Sequence, residues 1–273
     1  MPVTYLVVPQ WQGSGSSRAM RLIDGAAAIG AELPSSALRI TPPSGAGSAL
    51  DSGILRLSSI QFVRDEMLAA LHDAEETTVT IGGDCGVELA AVQHAAANHD
   101  LVLIWFDAHG DLNTPASSPS GSFGGMVLRT LLGDAPESIR PPRALTADRV
   151  ILAGVRALDE SESEYISASG ITHLSPKILT PETLTAAIVT SGASSVYLHI
   201  DLDVLDPAEF SCVGSAEPFG LALVALLHLI AAARAVLPVA GVGITGFAPP
   251  TPDAAADDLT SILRILAAVS KKL

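Results

Sequence analysis

Six short runs of β-branched and aliphatic residues recur along the chain and constrain its fold more than any other feature. They read "VTYLVVP", "TTVTIGG", "LVLIWFDAHGD", "DRVILAGVR", "SSVYLHIDLDVLD" and "VAGVGITGFAPP". Each has the length and composition of a strand, and each is apolar nearly throughout instead of alternating. That pattern suits a parallel sheet with helices packed on both faces. Between the runs lie Ala- and Leu-rich segments of helical periodicity, Ile54 to Asp73, Glu88 to Asn98, Pro181 to Val189, Leu221 to Ala235 and Asp257 to Lys271. The alternation predicts an α/β fold: a doubly wound, mainly parallel β-sheet flanked by helices on both faces, in three α/β/α layers. One domain over residues 1–273 is expected, and 48% apolar residues suffice for its core.

Charge narrows the function. The 29 acidic and 15 basic residues give a net charge of −14, which speaks against nucleic acid and anionic membrane surfaces as partners. A cationic small molecule or a bound metal suits such a chain better. Two cysteines, Cys85 and Cys212, are too few for a disulfide framework, and "MPVTYLVVPQWQG" has no charged segment followed by a long apolar one. A cytoplasmic protein with reduced thiols is expected. The apolar runs fall well short of the ~20 residues that span a bilayer.

Polar residues gather where the strands end, the edge at which open parallel sheets bind ligands. Asp107, His109 and Asp111 occupy alternate positions in "WFDAHGD", so in an extended chain their side chains share one side. Asp201 and Asp203 repeat the spacing in "HIDLDVLDP". A single Asp at a strand end is more often a cap or turn former. Two such clusters in one crevice would repel each other without a counter-charge, and a pair of divalent ions removes the conflict. Oxygen-rich ligation with one imidazole suits manganese better than structural zinc. The other histidines carry weaker signals: His72, His94, His99 and His228 lie in or beside helical stretches, and His173 is expected in a loop. His199 shares the pleat parity of Asp201 and Asp203 and reads as a hydrogen-bonded core residue. The Ser-, Gly- and Pro-rich stretch "NTPASSPSGSFGG" follows the densest ionisable cluster and is a candidate substrate loop.

The motifs "GGDC", "DAHGDLNTP" and "HIDLDVLDP", in this order, resemble the three metal motifs of the arginase and agmatinase family, the ureohydrolases. The resemblance covers essentially the whole chain. It implies two Mn2+ ions per subunit that activate a water for attack on a guanidinium carbon. It implies Cys85, Asp107, Asp111 and Asp201 around one ion and Asp107, His109, Asp201 and Asp203 around the other, with Asp107 and Asp201 bridging. "DLNTPASSPSGSFGG" is similar to the arginase loop that contacts the amino-acid end of the substrate, which implies Asn113, Ser118 and Ser120 as binders of an α-carboxylate. "GVRALDESE" implies Asp159 as the partner of an α-amino group. The family further implies a homo-oligomer, trimer or hexamer, and a small guanidino amino acid as the bound partner.

Three departures from the family pattern shape the substrate expectation. Cys85 stands where a histidine ligand is usual, and binds as a thiolate. Gly124 stands where members commonly carry a histidine that shuttles protons. Gly246 stands where arginases carry the glutamate that pairs with the guanidinium. Losses at the guanidinium end, with the amino-acid end retained, point to a less basic and larger group. Nω-hydroxy-L-arginine, cleaved to L-ornithine and hydroxyurea as in D-cycloserine-type antibiotic biosynthesis, has those properties, with the two glycines leaving room for the extra oxygen. Two alternatives stay open: an ordinary arginase or guanidino-acid hydrolase whose missing groups are replaced by others, and a catalytically inactive arginase-like binding protein. Glu217 resembles a family position near the far end of the substrate, and Cys212 reads as a packing residue.

Overall fold

The computed structural model of the protein describes residues 3–74 and 77–270. Its strands are β1 (Val3–Val8), β2 (Leu38–Arg39), β3 (Thr77–Gly82), β4 (Leu101–Phe106), β5 (Val150–Ala153), β6 (Thr172–Leu174), β7 (Ser195–Asp201) and β8 (Val239–Thr245). They form one sheet in the order β2-β1-β3-β8-β7-β4-β5-β6, and every pairing is parallel. All six apolar runs therefore hold strands. The central β4 and β7 are buried along their whole length, as continuous apolar sequence requires when both sheet faces are covered.

The helices are α1 (Arg21–Ala31), α2 (Leu57–Leu71), α3 (Glu88–Asn98), α4 (Val127–Leu131), α5 (Glu160–Ser169), α6 (Pro181–Ser191), α7 (Leu223–Val236) and α8 (Pro252–Ser270). Two apolar clusters, one on each face of the sheet, complete the three layers. One joins β-strand residues such as Ile104, Leu198 and Ile244 to α7 and α8 through Leu226, Ile230, Ile262 and Ile265. The other joins Leu103, Trp105 and Tyr197 to α2 and α3 through Ile60, Val63, Leu89 and Val92.

Five helices match the periodic segments, with α8 beginning earlier than its expected start at Asp257 and with Lys271 outside the described residues. His173, expected in a loop, sits instead on the three-residue strand β6, where its Nε2 lies 3.0 Å from the Val155 carbonyl.

Chain order and strand order diverge at the middle of the sheet. The chain passes from β3 to β4, and β8 and β7 later fill the gap between them. The C-terminal ends of four central strands thus converge on one crevice, the place where doubly wound sheets bind ligands. Register makes this convergence specific: Thr80, Gly243, His199 and Trp105 are partners across β3, β8, β7 and β4. Two residues further along β7 and β8, on the same face, Asp201 pairs with Thr245.

Candidate active site

Cys85, His109, Asp111, Asn113, Ser118, Ser120, Gly124, Asp159, Asp201, Asp203 and Gly246 all line one cavity of about 760 Å³ at that edge of the sheet. Asp107, 1% exposed, is buried behind that lining, its Oδ1 3.4 Å from His109 Nδ1. Every site residue expected from the sequence is therefore gathered in one place, although the means differ from the expectation in one respect. The strand ends at Phe106, and Asp111 takes a left-handed backbone with φ of 51°. Asp107, His109 and Asp111 consequently converge through a tight loop, and no shared pleat exists beyond the strand.

At the inner end the donors crowd together. Single ligand atoms of Cys85, Asp107, His199 and Asp201 all lie within 4.8 Å of one another, as do those of Asp107, His109 and Asp203. Asp111 stands outside both groups, yet its Oδ2 is buried without a hydrogen-bond partner among the described residues. Three of the carboxylates are each tied to the backbone on one side. Asp107 Oδ1 accepts the His109 N–H at 2.6 Å, Asp201 Oδ1 accepts the Asp203 N–H at 2.9 Å, and Asp203 Oδ1 accepts the Ala108 N–H at 3.0 Å. The second oxygens meet side chains: Asp201 Oδ2 accepts from Thr245 Oγ1 at 2.8 Å and from Cys85 Sγ at 3.0 Å, and Asp203 Oδ2 lies 3.0 Å from His109 Nδ1.

The electrostatics show what such crowding costs. Burial, with Asp107 close by, pushes Asp111 well above the usual carboxylate range, and burial beside Asp201 does the same to Asp203. Burial and the Asp201 carboxylate raise the Cys85 thiol likewise. Burial also opposes charge on His109, but hydrogen bonds to Asp107 and Asp203 prevail and push it up to about 12. Burial works against the charge of Asp107 too, yet hydrogen bonds from His109 and His199 hold it well below the usual carboxylate range. Carboxylates this close either hold protons or hold cations. Four aspartates, the imidazoles of His109 and His199 and one thiol, with a buried Asp111 oxygen left without a hydrogen-bond partner among the described residues, have the chemistry of a divalent-cation site.

The outer end is built differently. Asn113 Nδ2 donates to Asp159 Oδ2 at 2.8 Å, joining the loop after β4 to the start of α5. Ser117 Oγ and Ser161 Oγ both donate to Asn113 Oδ1, at 2.8 and 3.2 Å. Ser118 Oγ accepts from the Gly121 N–H and Ser120 Oγ from the Ser122 N–H, at 3.0 and 3.2 Å. Asn113 is buried, whereas Ser120 and Asp159 are exposed.

The two glycines do not simply leave empty space. At Gly246, with φ of 86°, an added Cβ would collide with the Asp201 carboxylate. Any side chain there would also meet left-handed strain. At Gly124 a Cβ would come within 3.3 Å of the Gly13 carbonyl, the group that accepts the Gly124 N–H at 2.9 Å. Glu217 also faces the cavity, with Oε1 4.0 Å from His109 Nε2. Cys212 is buried in the core, its Sγ 3.6 Å from the Ala254 carbonyl.

Sequence reasoning left three neighbours of the site without a role. Thr245 carries an Asp201 oxygen. Glu88 and His199 lie under the ligands, fully buried. The pleat parity of His199 was the available signal for it, and a glutamate only three positions after Cys85 was the signal for Glu88.

Comparison with known proteins agrees with this geometry. The sequence model of the arginase family matches residues 54–269. The chain is 35% identical to an arginase of Bacillus subtilis over 188 residues, 63% of this chain and 62% of that protein. It is 33% identical to an N(omega)-hydroxy-L-arginine amidinohydrolase of Streptomyces lavendulae over 154 residues, 52% of this chain and 53% of that one. The matches thus span less than two thirds of the length of these curated relatives. Among solved structures, an Entamoeba histolytica arginase in complex with L-ornithine superposes with a TM-score of 0.84 at 22% identity, covering 99% of this chain and 98% of that one.

Proposed function

Because the chain belongs to the arginase family, whose members are binuclear-metal enzymes, we propose that it is an amidinohydrolase acting on Nω-hydroxy-L-arginine. One water is consumed, the bond between the guanidino carbon and the side-chain nitrogen breaks, and L-ornithine and hydroxyurea leave. The observation that carries this reading is the polarity of the cavity: an Asn113–Asp159 pair at one end, crowded metal-type donors at the other, and Gly246 beside them. A carboxylate at position 246 would suit a fully charged guanidinium. An N-hydroxyguanidine is less basic and depends less on that partner. A relative named for this activity supports the choice.

Cys85, Asp107, Asp111 and Asp201 would hold one cation and Asp107, His109, Asp201 and Asp203 the other, and manganese suits this donor set. Bound there, the pair would supply positive charge that lowers the pKa of a shared water to near neutrality. The chain supplies the rest. Backbone N–H groups and Thr245 hold the carboxylates before substrate arrives, so little reorganisation is needed on binding. Asp159 would attract the α-ammonium group, and Asn113, Ser118 and Ser120 would receive the α-carboxylate. Anchoring the far end in this way fixes the guanidino carbon against the inner donors, the positioning that makes an intramolecular attack fast. The proposal places the enzyme in the cytoplasm as a single catalytic domain that assembles into a homo-oligomer.

Product analysis tests it. With manganese and Nω-hydroxy-L-arginine, L-ornithine and hydroxyurea should appear in equal amounts, and neither should form after chelation of the metal. Failure to release hydroxyurea from the manganese-loaded protein would overturn the assignment.

A further inference from the structure

Beneath the ligand cluster lies a buried polar stack that the reaction proposed above does not use. The partners Thr80, Gly243, His199 and Trp105 form one row across the four central strands, one pleat below Asp201 and Thr245. Trp105 and His199 stack with ring centroids 3.5 Å apart, which fixes the plane of the imidazole. Glu88, the first residue of α3, reaches into this row at Gly243, where an added Cβ would collide with its Oε1. Glycine at 243 therefore admits a carboxylate into the sheet face.

The contacts then run in a chain. Tyr197 Oη donates to Glu88 Oε2 at 2.7 Å. Glu88 Oε1 lies 3.4 Å from His199 Nδ1, and His199 Nε2 lies 3.4 Å from Asp107 Oδ2. Tyr197, Glu88 and His199 are all 0% exposed. Burying a carboxylate and an imidazole in an apolar sheet is costly unless they are paired. Here the ring has a carboxylate at each nitrogen: Nδ1 faces Glu88 at ion-pair distance, without a hydrogen bond, and a proton on Nε2 points at Asp107. Histidine and carboxylate partners of metal ligands orient those ligands in the same manner.

We propose that His199, held by Glu88 and Tyr197, is a positioning residue for Asp107. Its ring fixes Oδ2 while the His109 N–H fixes Oδ1, so the carboxylate plane is set before a cation arrives. This rests on the reading of Asp107 as a ligand shared by two cations. The test titrates the metal-free full-length protein with Mn2+ by calorimetry, comparing wild type with His199→Gln, His199→Asn and Tyr197→Phe. Glutamine can keep a donor where Nε2 stands; asparagine keeps one only on the Glu88 side. His199→Asn should weaken manganese binding by about 10- to 100-fold, with His199→Gln restoring most of it. In turnover, kcat should fall in the asparagine variant while KM stays near wild type, because the substrate is anchored at Asn113 and Asp159. Equal weakening in both histidine variants, or wild-type affinity in His199→Asn, would overturn the inference. Should neither histidine variant fold, Tyr197→Phe carries the test: affinity a few-fold weaker is expected, and unchanged affinity would overturn it. A wild-type protein that binds no manganese would instead overturn the binuclear reading itself.

Discussion

Asp107, Asp201 and Asp203 are 1%, 5% and 6% exposed, and each has an oxygen fixed by a backbone N–H, whereas Ser120 and Asp159 at the other end of the same cavity are exposed. The inner residues are set by the ends of central strands whose register is locked by burial on both faces. The outer serines stand in a loop tied by hydrogen bonds that span only two or three residues. The inner end keeps like charges together; the outer end, which the proposed function makes the anchor of the substrate, stands in a loop that can vary without disturbing the sheet. The crowded donors and the polar loop thus lie in parts of the molecule with different rigidity.

The largest expected effect comes from the inner end. Asp201→Asn should lower kcat/KM on the order of 10⁴-fold, the scale on which members of a catalytic unit act. Because the change also relieves crowding around Asp203 and Cys85, the metal-free variant should melt no lower than metal-free wild type. A large loss of metal-free stability, measured by thermal unfolding, would break the picture of an inner end strained by its own charges. At the outer end, Asp159→Ala should act through KM. Loss of a hydrogen bond to a charged group is worth about 1.5–3 kcal/mol, so kcat/KM should fall roughly 10- to 100-fold, with manganese stoichiometry unchanged. Loss of metal from this variant would show that the two ends are not separable.

The smallest effect is one of pH. Asp111 and Asp203 are raised above their unfolded values, so the stability they contribute is present at low pH and lost as pH rises through their folded values. His199, raised to about 10, and His109, raised to about 12, contribute stability that is complete below an unfolded value of 6.5 and lost as pH rises toward those values. Asp107 is lowered, and its contribution is lost only in acid, below its unfolded value of 3.8. The shifted groups of the site that act from pH 5.5 to 8.5 therefore make the metal-free protein less stable as pH rises, while His94, lowered by burial, acts in the opposite direction away from the site. Cation binding requires deprotonated ligands and strengthens in the same direction. The gap in melting temperature between manganese-loaded and metal-free protein should widen from pH 5.5 to 8.5. A gap that narrows would contradict the assignment of these residues as ligands.

How much of this was legible in the sequence follows the same division. Continuous apolar runs marked the six long strands, and the spacing of Asp107, His109, Asp201 and Asp203 marked the site, because both patterns are local. The edge strands β2 and β6 have two and three residues and leave almost no pattern. Helix α5, "ESESEYISAS", buries only Glu162 and has no apolar stripe to detect. The left-handed turn at Asp111 has no sequence mark, since aspartate tolerates several backbone regions. Nor could sequence show that the Asp201 carboxylate fills the place beside Gly246, or that Glu88 enters the sheet at Gly243, because both depend on strands brought together from distant parts of the chain.

The most direct test of the central claim is the ratio of kcat/KM for Nω-hydroxy-L-arginine to that for L-arginine, measured side by side on the manganese-loaded protein. The proposed function, with Asn113 and Asp159 as amino-acid anchors and Gly246 beside the cation donors, predicts a ratio of orders of magnitude in favour of the hydroxylated substrate. A ratio at or below one would contradict it.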